Sequence, residues 1–63
     1  MTDRFLRLPE VIERTTLSER TIYRRMGNRT FPRTVKLGAN SVAWRESEIV
    51  AWMENPLEWR AVA

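Results

Sequence analysis

The stretch LSERTIYRRM, residues 17–26, gathers three arginines and three hydroxyl groups on what its spacing makes a short helix. A guanidinium on a helix can pair bidentately with the O6 and N7 of guanine, or clamp a phosphate. Arg20 and Arg24 are the first candidates. At about 100° per residue they fall opposite Ile22 and Met26, the pair that would face a core. Thr21 and Tyr23 flank them and offer hydroxyls to bases or phosphates, with core-edge packing an equal claim on Tyr23. Ser18 and the free amides that follow it can hold a phosphate, although capping the helix is its plainer role. Arg25 lies nearer the packed edge and, with Asn28 and Arg29, stands where backbone contacts belong. Lys36, Asn40 and Arg45 extend the set downstream. Taken together these cations also read as a solvated face with no partner. Against that, Arg24 has no acid four residues away, since Arg20 and Asn28 occupy those positions.

Charge is segregated along the chain. Residues 20–45 hold seven basic side chains and no acid, while the other 37 residues hold four basic and eight acidic ones. A single-sign stretch of this kind attracts polyanions, phosphate backbones above all. Catalysis finds no support, because there is no histidine or cysteine and a serine or tyrosine without a base is not an activated nucleophile. Glu46 and Glu48 open a helix, where its dipole accounts for them. No glycine-rich phosphate loop or metal-ligand cluster occurs, so no enzymatic activity, cofactor or metal is expected. The longest uncharged run, LGANSVAW, has eight residues against the roughly 20 needed to cross a bilayer. The charged start MTDRFLRLPE lacks the apolar stretch of a signal peptide. Absence of cysteine in so short a chain fits a reducing compartment, and a soluble intracellular protein is expected.

The elements that must position these residues follow from periodicity. At 63 residues the chain forms one domain with a thin margin of stability. In RLPEVIERT, Leu8, Val11, Ile12 and Thr15 share a helical face, and Pro9 suits the first helical position. Leu17 plugs the core across a turn. Ser18 then caps a second helix, and Gly27 with Asn28 stops it in the left-handed conformation. This makes a helix-turn-helix over residues 8–28. TVKL and SVAW, joined by Gly38, Ala39 and Asn40, form a hairpin over residues 34–45. Alternation puts Val35, Leu37, Val42 and Trp44 on the packed face and Lys36, Ala43 and Arg45 outward. A basic hairpin behind a helix-turn-helix is a wing. A third helix over residues 46–55 packs through Ile49, Trp52 and Met53. The tail, residues 56–63, repeats a helix start signal at Asn55, Pro56 and Glu58 and has room for one short C-terminal helix. Its Leu57, Trp59 and Val62 would dock on the core or on another copy. Trp44 and Trp52 read as core; Trp59 stays open between these two roles.

FLRLPEVIERTTLSERTIYRRM followed by FPRTVKLGANSVAWRESEIVAWMEN resembles the AlpA family of small phage- and prophage-encoded regulators. R-L-P-E-V, L-S-x-x-T-I-Y-R, F-P-x-x-V-K-L-G and W-R-x-S-E-I-x-x-W appear in order across residues 5 to 55. The family is similar in fold to excisionases and to MerR-type DNA-binding domains. The resemblance implies a mainly α winged helix-turn-helix with a two-stranded antiparallel wing. Its second helix would enter the major groove, with the wing at the minor groove. It further implies a sequence-specific double-stranded DNA-binding regulator of prophage genes, bacterial, cytoplasmic and nucleoid-associated, with recombination directionality as an added role. Self-association in several copies on DNA, or an integrase or RNA polymerase partner, would supplement a lone weak domain. The competing expectation is a protein-interaction module that binds an integrase, repressor or polymerase through the basic face. RNA binding lacks the exposed aromatic sheet it would use.

Overall fold

The computed structural model describes residues 3–61. Its elements are β1 (Phe5–Leu6), α1 (Leu8–Thr15), α2 (Glu19–Gly27), β2 (Val35–Gly38), β3 (Ser41–Arg45) and α3 (Glu46–Glu54). Three helices thus accompany a three-stranded antiparallel sheet of order β1-β3-β2. The hairpin expected to have two strands gains a third from the N-terminus. A two-residue strand is too short to show alternation; it exists because Phe5 and Leu6 pair with Arg45 and Trp44.

α1 follows the expected pattern, with Val11 and Thr15 buried and Leu8 and Ile12 packed at the core's edge. Pro9 takes the second helical position rather than the first, still within the turn whose N–H groups lack intrahelical partners. Thr15 Oγ1 donates to the Val11 carbonyl (2.8 Å) and Thr16 ends the helix in the left-handed region, φ 62°. A three-residue turn, Thr16, Leu17 and Ser18, leads into α2, where Ser18 Oγ accepts from the Thr21 amide at 3.3 Å. α2 runs through Gly27, and Asn28 follows at φ −91°. The left-handed position falls one residue later, on Arg29 at φ 61°. The amides of Asn28, Arg29 and Thr30 fold back onto the carbonyls of Arg24, Arg25 and Met26 and delay the turn.

The core consists of Leu6, Val11, Ile22, Phe31, Trp44, Ile49 and Trp52, with Leu17, Met26 and Trp59 against it. Both buried tryptophans hold the loop between α2 and β2. Trp44 Nε1 donates to the Pro32 carbonyl and Trp52 Nε1 to the Thr30 carbonyl, each at 2.9 Å. Phe31 sits between these anchors, edge-on to Trp52 at 5.0 Å.

The hairpin overturns the expected faces. Lys36 pairs with Val42 and Val35 with Ala43, so the four apolar residues cannot share one side. A bulge at Leu37 breaks the pairing before Gly38 meets Ser41, and the turn shortens to Ala39 and Asn40. Leu37 and Val42 are therefore exposed, whereas Ala43 is fully buried. Met53, expected in the core, is 44% exposed because Ile49 and Trp52 alone complete the buried face of α3. Residues 56–58 make a turn rather than a helix. Trp59 packs on the chain's own core, and the Ala61 amide donates to the Arg29 carbonyl at 3.0 Å. Val62 lies outside the described residues.

Candidate nucleic-acid interface

Arg20 and Arg24 are both exposed on α2. Among the described residues, ion pairs form only at Arg4 and Arg14, with Glu10 and Glu46. The cations of residues 20–45 therefore carry no acid within bonding range among the described residues. Glu19, beside Arg20 in sequence, does not reach it.

Thr21 is half-buried and its hydroxyl accepts from Ser18 Oγ at 3.0 Å, which ties both side chains into the cap. Tyr23 is 43% exposed and its ring leans on Trp44, centroids 6.3 Å apart and planes 58° apart. Tyr23 therefore joins the outward face of α2 to β3. Cross-strand pairing sets Lys36 beside Val42, two residues before Trp44 and so on the same side of the sheet. Tyr23 and Lys36 share that side. Asn40 is exposed in the hairpin turn.

Four expected residues stand elsewhere. Arg25 is half-buried with its guanidinium over the Trp52 ring at 5.9 Å, a cation–π contact facing α3. Arg45 alternates to the opposite side of β3 from Trp44 and lies over Phe5 at 5.9 Å. Arg29 and Asn28 are exposed at the end of α2, where Arg29 also supplies the carbonyl bonded by Ala61.

Two further cations enter the neighbourhood. Arg33, exposed in the loop, lines a shallow cleft of about 200 Å³ with Pro32, Glu48, Trp59 and Ala61. Arg7, outside the basic segment, donates from Nη1 to Ser41 Oγ at 2.7 Å. The partners are 34 positions apart, and no local pattern signals the contact. Among the described residues, no group of three His, Cys, Asp or Glu side chains is placed to hold a metal, and no helix is long and apolar enough to cross a membrane.

Residues 4–57 match the family model described as "Prophage CP4-57 regulatory protein (AlpA)". The chain belongs to the AlpA family. It is 45% identical over 58 residues to a protein of Enterobacteria phage P4, "Uncharacterized protein ORF88", covering 92% of this chain and 66% of the phage protein. It is 41% identical over 56 residues to the "DNA-binding transcriptional activator AlpA" of Escherichia coli K12, covering 79% of this chain and 80% of that protein. No solved structure matches the chain. The AlpA-family match spans every element from β1 to α3.

Proposed function

We propose that this AlpA-family chain is a sequence-specific double-stranded DNA-binding transcriptional regulator of phage or prophage type. The observation that carries the reading is the α2 face, where Arg20 and Arg24 stand exposed beside Tyr23 and, among the described residues, have no acid partner. The name of the Escherichia coli relative supports it. α2 enters the major groove of a winged helix-turn-helix, and Arg24 and Arg20 read base edges or clamp phosphates. The hairpin acts as the wing, with Lys36 and Asn40 at the flanking backbone. Ser18 and Thr21 fix the start of α2, while Asn28 and Arg29 serve the backbone at its end. Arg25 and Arg45 take lesser parts, each already engaged with an aromatic ring. One such domain buries only about 600–1,000 Å² on DNA. Several copies on repeated sites, or an integrase or polymerase partner, supply the remaining affinity.

Titration against duplex from the chain's own genomic neighbourhood and against scrambled duplex tests this. The expected result is a preference of at least about tenfold, ~1.4 kcal/mol, for one native segment. Arg24→Ala should lose discrimination at one base step, whereas Lys36→Ala should weaken all duplexes alike. Unchanged binding by both folded variants would overturn the docking face. Equal, weak binding to every duplex would favour a protein target for the basic face.

A further inference from the structure

The N-terminal strand carries a cation into the hairpin. Phe5 and Leu6 pair with Arg45 and Trp44, and one more step of that register sets Arg7 across from Ala43. The Arg7 side chain continues along β3 to Ser41 Oγ, 2.7 Å from its Nη1. Ser41 directly follows the Ala39–Asn40 turn, so the guanidinium is held at the tip end of the hairpin. Ala43, on the side of β3 away from Trp44, is fully buried. Arg7 is exposed and, among the described residues, has no acid partner. One hydroxyl engages one of its five N–H donors and leaves the rest of the fork open.

Resting on the DNA-binding reading above, we propose that Arg7 is a phosphate-contacting residue of the wing. Ser41 orients it, and β1 delivers it from outside the basic segment. The ligand is a phosphodiester of the strand that flanks the wing tip. Lys36 and Arg7 emerge on opposite sides of the sheet, since Lys36 shares the side of Trp44 and Arg7 that of Ala43. A hairpin inserted at a groove edge meets backbone on both flanks, and a cation on each suits that geometry. A guanidinium already held by a hydroxyl loses less rotamer freedom on engaging phosphate than a free one.

The test compares duplex affinity across a salt series for wild type, Arg7→Met, Ser41→Ala, Arg24→Ala and Arg60→Ala. Methionine keeps an unbranched stem while removing the charge, and a thermal melt confirms folding. Arg60→Ala makes the same change in net charge on the tail, where Arg60 bonds the Leu57 and Trp59 carbonyls. Arg7→Met should bind every duplex more weakly, with the slope of log K against log salt shallower by about 0.9. Ser41→Ala should show a smaller loss with the slope retained, as expected for a positioning residue. If folded Arg7→Met matches Arg60→Ala while Arg24→Ala still loses binding, the Arg7 assignment is overturned and the DNA-binding reading stands. If wild type shows no salt-dependent duplex binding, the DNA-binding reading falls and the assignment falls with it.

Discussion

At the residue scale, two indole N–H groups do much to define the site. Trp44 and Trp52 each fill the core and spend their one donor on a carbonyl of the loop that follows α2. That loop sets the distance between α2 and the hairpin. Trp44→Phe keeps most of the apolar area but leaves the Pro32 carbonyl without its donor, at a cost of about 1–3 kcal/mol. In a domain of this size each kcal/mol moves Tm by about 4–8 °C. A melt should therefore show a drop of at least about 4 °C, and an unchanged Tm would mean that water replaces the indole. The core role of both tryptophans was legible from their spacing, as was the Ser18 cap from its place before an apolar run. Arg25 was less so: its wheel position gave the packed edge, but only the tertiary fold brings the Trp52 ring under it. Met53 misled because it sits at helical spacing from Ile49, although two large side chains already cover the buried face.

At the element scale, the helices could be read closely and the strands poorly. α1 and α2 announce themselves by apolar period and by proline and serine punctuation near their starts. β1 has two residues and no signature, and the hairpin faces depended on which residues pair, which alternation along one strand does not reveal. The start of α3 shows the same limit. Its preceding residue, Arg45, makes no capping bond. The cap comes instead from Asp3, whose carboxylate accepts from the Ser47 amide at 3.0 Å and the Ser47 hydroxyl at 2.8 Å. The Glu46 amide donates to the Arg4 carbonyl, and Arg14 reaches the Glu46 carboxylate at 2.9 Å. β1, α1 and α3 are thus tied at one corner. The Ser47 amide and then its hydroxyl hold the Asp3 carboxyl below the usual aspartate range. A lowered folded value means that stability is fully present above the unfolded pKa and is lost as pH falls through the folded one. Asp3→Asn should therefore melt below wild type at neutral pH, with the gap closing under acid conditions below about pH 4. A gap that persists in acid would assign the loss to packing rather than to the carboxylate.

At the scale of the whole molecule, a chain of 63 residues must recruit its tail to finish its core. Trp59 presses on the buried cluster and the Ala61 amide bonds the Arg29 carbonyl, so the C-terminal segment closes over the end of α2. Arg29 holds a left-handed backbone there, a conformation costly for a non-glycine residue unless its surroundings enforce it. The tail therefore supports the segment where α2 hands over to the loop. Composition left Trp59 open between this role and an anchor for a second copy. Its partial burial implies a smaller penalty for Trp59→Ala than the 3–5 kcal/mol of a fully buried ring, about 1–3 kcal/mol, or roughly 5–20 °C in Tm. The discriminating variable is protein concentration. An intramolecular closure gives the same drop at every concentration, whereas an anchor between copies gives a drop that grows as the wild-type protein is concentrated. The packing against Ile49 and Trp52's cluster predicts the first outcome, and a concentration-dependent difference would transfer Trp59 to an interface between copies.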